Sequence, residues 1–117
     1  MHYPENWSEA QVTNDSTIGF NYNNRMYLSE SPTLDTSAYF KPNLLGGSIE
    51  FDVDLSQSGC GCLTALYAIV MPASQTTNDP FQYCDAASVG GYMCPEFDVM
   101  EANKHAWRTT AHKCDGS

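Results

Sequence analysis

The segment Glu96-Phe97-Asp98-Val99-Met100-Glu101 sets three carboxylates within six positions. In an extended strand, residues two apart share a face. Glu96 and Asp98 then project together, while Phe97 and Val99 point the other way, toward a core. Strict alternation puts Glu101 on the face opposite Glu96. A β-bulge in Val99-Met100-Glu101 supplies one extra residue and returns Glu101 to the acidic face. The three carboxylates then lie along one face of the strand. Such a cluster is costly for stability. Like charges repel, and one or two of the groups are expected to hold a proton near neutral pH. The same cluster suits hydrolysis of a glycosidic bond with retention. That reaction takes one ionised carboxylate as nucleophile, and one protonated carboxyl about 5–5.5 Å away as acid and later base. Asp98, between the two, can hydrogen-bond the nucleophile and help set its charge. The plainer alternative is a solvated polar strand face, such as Glu50, Asp52 and Asp54 would form. Spacing alone does not separate the two.

The acidic segment needs elements to hold it. No stretch has the period of a long amphipathic helix, turn residues recur every few positions, and apolar residues come in short sets. That is an all-β pattern. Ile18-Gly19-Phe20 and Arg25-Met26-Tyr27-Leu28 are short strand candidates separated by Asn21, Asn23 and Asn24. The clearest candidate is the alternation of Ile49, Phe51, Val53 and Leu55 with Glu50, Asp52 and Asp54. Ala65 to Met71 is apolar on both faces and is expected to be a central strand. Met93 to Glu101 is the last strong candidate, and residues 1–17 and 102–117 read as irregular. Five or six strands of this kind imply a two-layer antiparallel sandwich, and an incomplete one, because a sandwich normally needs more. No repeat, low-complexity tract or linker divides residues 1–117, so a single, partial domain is expected.

The formal charge of −9 disfavours nucleic acid, whose phosphates need a cationic surface. No apolar run approaches the roughly 20 residues of a membrane span. No basic n-region followed by an apolar h-region opens the chain, so any secretion signal is expected to have been removed or never present. The cysteines are Cys60, Cys62, Cys84, Cys94 and Cys114. An odd number leaves at least one outside a closed disulfide set. Cys60-Gly61-Cys62 has one intervening residue where zinc knuckles usually have two to four, and no His pair follows on a helix. Oxidised cysteines of a secreted protein are therefore favoured over a metal site. Asn6-Trp7-Ser8 and Asn14-Asp15-Ser16 fit the glycosylation pattern, in keeping with secretion. No cofactor or metal is expected. A calcium site at Glu50, Asp52 and Asp54 is the weaker alternative to a solvated face.

Several further blocks carry a resemblance. Arg25-Met26-Tyr27-Leu28 resembles an Arg-Leu-Tyr-Leu strand. Leu44-Leu45-Gly46, followed by Phe51-Asp52-Val53-Asp54-Leu55-Ser56, resembles Leu-Leu-Gly and Phe-Asp-Val-Asp-Val-Ser. Cys60-Gly61 with Ala65-Leu66-Tyr67, and Tyr83-Cys84-Asp85, have similar counterparts. Cys94-Pro95-Glu96-Phe97-Asp98-Val99-Met100-Glu101-Ala102-Asn103 resembles Cys-Ser-Glu-Met-Asp-Ile-Trp-Glu-Ala-Asn, and the spacing continues through Thr110, His112 and Cys114. In this order, from about residue 18 to 116, the blocks resemble glycoside hydrolase family 7. That family comprises fungal cellobiohydrolases and endoglucanases on a concanavalin-like β-jelly roll.

The resemblance implies a retaining hydrolase of β-1,4-glucan, secreted, acting on cellulose or a related glucan. It aligns Glu96 with the nucleophile, Asp98 with its supporting acid and Glu101 with the acid/base. His112 aligns with a histidine on the leaving-group side, and Arg25 and Tyr67 with groups that contact the glucan. Cys84 and Cys94 align with two cysteines that pair with each other. Cys60 and Cys114 align with cysteines whose partners lie further along a family chain several times longer. A fragment, or one piece of a protein completed by a second chain, is therefore expected. Trp107 offers a flat apolar face that can stack on a glucose ring or pin the loop after the strand, and it joins the substrate-binding candidates. The alternative to an enzyme is a glucan-binding or structural relative that kept the sheet and lost the groove.

Overall fold

The computed structural model describes residues 2–4, 10–14, 16–31, 35–72 and 81–112. Cys114 and Trp7 lie outside them. Among the described residues, β1 (His2–Pro4) pairs antiparallel with β4 (Met26–Leu28), and β2 (Ala10–Asn14) with β3 (Thr17–Phe20). The strands β5 (Thr64–Ile69), β6 (Glu96–Asn103) and β7 (Ala106–His112) form an antiparallel sheet with β6 in the middle. A 3₁₀ turn at Thr36–Ala38 is the one helical element described, its start capped by the Asp35 carboxylate on the Ser37 amide. The protein is all-β, and this set of antiparallel sheets is consistent with an incomplete sandwich.

The chain divides into two compact units, Met1–Leu45 with Thr77–Phe81, and Gly46–Thr76 with Gln82–Ser117. In the first, the Tyr27 ring lies between Tyr39 at 5.0 Å and Phe81 at 5.5 Å, nearly parallel to both. The Tyr39 hydroxyl donates to the Phe81 carbonyl at 3.2 Å.

The second unit is built on β6. Met100 and Ala102 are buried on one side of it, and Tyr83, Cys84 and Cys94 are buried in the preceding loop. The β6–β7 hairpin turns over Lys104 and His105. Asn103 closes that turn, because its Oδ1 accepts the backbone amides of His105 and Ala106 at 2.9 and 3.1 Å. Its Nδ2 donates to the Cys62 carbonyl at 3.2 Å and ties the hairpin to the 56–62 turn.

Several expectations change. Ile49 to Leu55 forms no ladder with any described strand. Ile49, Phe51 and Val53 stand 44%, 41% and 39% exposed. Alternation encodes a strand only if a neighbour takes up its N–H and C=O groups, and none of the described strands does so. Ala65 to Met71 is not central: β5 is an edge of the sheet among the described residues, and β6 takes the middle. Residues 106–112 are a strand and not irregular. Their polar side chains hide the pattern, but Trp107, Thr109 and Thr110 suit an extended backbone. Residues 2–4 and 10–14 likewise pair as strands.

Candidate active site

The register of the three-stranded sheet brings the acidic residues to one face. Glu96 pairs with His112, Asp98 with Thr110 and Glu101 with Arg108. Residues 108, 110 and 112 are spaced by two and share one face of β7. Three contacts link that face to the acids. Asp98 Oδ2 lies 2.7 Å from His112 Nε2. Glu101 Oε2 accepts Arg108 Nε at 2.7 Å and Thr110 Oγ1 at 3.1 Å. A register shift between Asp98 and Glu101 makes this possible, and β5 shows the matching shift between Leu66 and Tyr67. One extra residue on β6 turns Glu101 back to the side of Glu96 and Asp98. Phe97, on the other face, is exposed and not in a core.

The side chains have distinct settings. Asp98 is buried, and His112 is its polar contact on β7. Tyr67 pairs with Asp98 across β5 and β6, so it shares the acidic face, and its hydroxyl lies 3.4 Å from that of Tyr83. Tyr83 in turn donates to buried Asp85 Oδ2 at 2.7 Å. Asp85 Oδ1 accepts the Val89 amide at 2.9 Å, which fixes the turn that follows. From that turn the Ala86 amide donates to Glu96 Oε2 at 2.7 Å. The Cys84–Cys94 disulfide closes the loop at its base, with Cα atoms 5.7 Å apart.

Two of the carboxyls are biased in opposite directions. Burial pushes Glu96 above the usual carboxylate range. The Ala86 amide opposes that rise, and the charges of Asp98 and Asp85 add to it. The Arg108 hydrogen bond, chiefly, holds Glu101 below that range, with help from Thr110 and the charges of Arg108 and His112. One group favouring its neutral form beside one favouring its charged form is the pairing that acid–base chemistry needs. The direction runs opposite to the roles implied by the resemblance, in which Glu96 is ionised and Glu101 carries the proton.

Of the other candidates, Arg25 lies in the first unit, just ahead of β4. Trp107 pairs with Ala102, on the sheet face away from Glu101, and stacks on Phe51 at 6.2 Å. At the hairpin end of the sheet, Trp107, Arg108 and Glu101 all border a recess of about 230 Å³. That is smaller than the roughly 300–1,000 Å³ of an ordinary ligand pocket. Among the described residues, neither Cys60 nor Cys62 is in a disulfide. Among the described residues no cluster of His, Cys, Asp and Glu is arranged to hold a metal ion, and no helix is long and apolar enough to cross a membrane. Arg108, Asp85 and Ala86 are absent from the sequence-derived site. The signal for Arg108 was its two-residue spacing from Thr110 and His112, which becomes visible only once residues 106–112 are known to be a strand.

Comparison with known proteins gives fungal glucanases. The chain is 32% identical over 114 residues to the probable endo-β-1,4-glucanase celB of Aspergillus clavatus, a match that takes in 80% of this chain and 27% of that protein. It is 31% identical over 111 residues to endoglucanase EG-1 of Hypocrea jecorina, covering 77% of this chain and 23% of that protein. The chain thus spans about a quarter of the length of these curated relatives. No family model matches the chain. No solved structure matches it.

Proposed function

We propose that this chain carries the carboxylate site of a secreted, retaining β-1,4-glucan hydrolase of glycoside hydrolase family 7. In this reading its sheets are part of a single β-jelly-roll domain, completed by further sequence or a second chain. The observation that carries the reading is the meeting of Glu96, Asp98 and Glu101 on one sheet face, within a chain similar to fungal endoglucanases. Glu96 attacks the anomeric carbon as Glu101 gives its proton to the departing glycosidic oxygen. Glu101, now a carboxylate, takes a proton from water, and the resulting hydroxide displaces Glu96 from the sugar with net retention. Asp98, braced by His112, lies between the two on β6 and limits how much negative charge Glu96 carries at rest. Tyr67 and His112 border the glucan. The Cys84–Cys94 disulfide is in keeping with an oxidising, extracellular setting.

Release of reducing sugar from soluble cellulose or mixed-linkage glucan tests this reading. Wild-type protein, with the sequence or second chain that completes the domain, is expected to be active. Glu96→Gln, nearly isosteric, is expected to keep the fold and lose turnover. Full activity in that variant refutes the assignment.

A second reading is a glucan-binding relative without turnover. The ion pair that ties up Glu101 favours it, since a carboxylate held by a guanidinium is a poor acid. Glucan binding with no sugar released in the same assay selects this reading over the first.

A further inference from the structure

Arg108 presents its guanidinium edge to Glu101. Nε lies 2.7 Å from Oε2 and Nη2 lies 3.1 Å from Oε1. Thr110 Oγ1 adds a third donor, again to Oε2. A guanidinium has donors only and does not lose its proton. Both oxygens of Glu101 accept an N–H of the fork, and each of these bonds favours the ionised carboxylate. The closed pair therefore disfavours the protonated form that an acid catalyst must reach. We propose that Arg108 is a latch on Glu101, which must swing away before Glu101 can protonate a glycosidic oxygen.

The proposal rests on the hydrolase reading above. The latch is built to open. The Arg108 side chain is 70% exposed, against 12% for Glu101, and an exposed ion pair is weak. Both partners border the recess at the hairpin end of the sheet. Once Arg108 departs, Glu101 takes a proton from solvent. It passes that proton to the leaving oxygen as the bond from that oxygen to the anomeric carbon breaks and the bond to Glu96 forms. The groups facing Glu101 are Arg108, Thr110 and His112 on β7, with Asp98 and Glu96 on β6. On β5 its register partner is Ala65, which carries no charge. With Arg108 removed, the Thr110 hydrogen bond and the charge of His112 are what still hold Glu101 down, and burial opposes them. Arg108 is a positioning residue here and does no chemistry of its own.

The test compares Arg108→Gln and Arg108→Lys with wild type in the whole chain. Two readouts are taken: the pH profile of kcat/KM on soluble β-glucan, and the Glu101 carboxyl titration by carbon NMR, assigned with Glu101→Gln. Arg108→Gln keeps a donor and loses the charge. It is expected to move the alkaline limb of the profile upward, to raise kcat/KM severalfold at neutral pH, and to raise the Glu101 midpoint. Arg108→Lys keeps the charge without the fork and is expected to fall between. Equal Glu101 midpoints in wild type and Arg108→Gln overturn the latch, even in an active enzyme. No hydrolysis at any pH by wild type or variants overturns the underlying hydrolase reading, with the midpoints still measured independently.

Discussion

The Ala86 amide points at Glu96 Oε2 from 2.7 Å, so a main-chain donor in a loop fixes one oxygen of the carboxylate that begins β6. That donor is only as steady as its loop. Buried Asp85 holds the loop through Tyr83 and the Val89 amide, and the Cys84–Cys94 bond closes it. A backbone N–H costs little entropy to aim, because the turn has already been paid for in folding.

Breaking the disulfide tests that dependence. Cys84→Ser with Cys94→Ser opens a loop with a sequence separation of 10. Loop-closure entropy puts the loss at about 2–3 kcal/mol, to be measured by urea unfolding. In the hydrolase reading kcat is expected to fall more than KM rises, since the aim of Glu96 loosens while the glucan contacts remain.

Gly90 packs against the same loop. A Cβ there would stand 2.8 Å from the Tyr83 carbonyl oxygen and 3.0 Å from its ring. Gly90→Ala therefore forces backbone to move, at a cost of about 1–3 kcal/mol in unfolding free energy. A variant as stable as wild type would mean that the turn relaxes freely.

Glu96 and Glu101 are expected to tie stability to pH in opposite senses. The Glu96 carboxyl is raised in the fold, so its contribution is full below the unfolded carboxylate range and is lost as pH rises through its folded value. Glu96→Gln is thus expected to melt higher than wild type at neutral pH, with the gap closing in acid. Its turnover is expected to fall by roughly 10³-fold or more. Glu101 is lowered, so its contribution is present above the unfolded range and fades as pH falls through its folded value. Glu101→Gln is expected to melt lower than wild type at neutral pH and to converge with it in acid. Thermal unfolding across a pH series reads both.

Removing His112 leaves buried Asp98 without its imidazole contact. His112→Ala is expected to cost about 1–3 kcal/mol, the usual penalty for stranding a buried polar group. Asp98→Asn in the same background is expected to recover part of that loss, because it removes the stranded charge. A double-mutant cycle by chemical unfolding gives the coupling.

Trp107 serves as a check on the sheet face. Its ring meets Phe51 on the side away from the acids. Trp107→Ala is expected to lower stability by about 1 kcal/mol through the lost ring contact. KM on a soluble glucan is expected to move little. A large rise in KM with unchanged stability would assign the ring to substrate.

The period-two rule is local, so the sequence by itself determined that Glu96 and Asp98 share a side, and that one extra residue before Glu101 would bring the third acid to it. The spacing of turn residues and short apolar sets pointed to the all-β class, and the fungal-glucanase likeness was legible in the collinear blocks. Cross-strand neighbours are not local. Only the tertiary structure decided that residues 106–112 pair with β6, that Arg108 closes on Glu101 and that the Ala86 amide meets Glu96. The alternation of Ile49 to Leu55 makes the same point in reverse. A pattern states which side chains would share a face, but ladder hydrogen bonds form only where another strand is brought alongside, and the whole chain decides that.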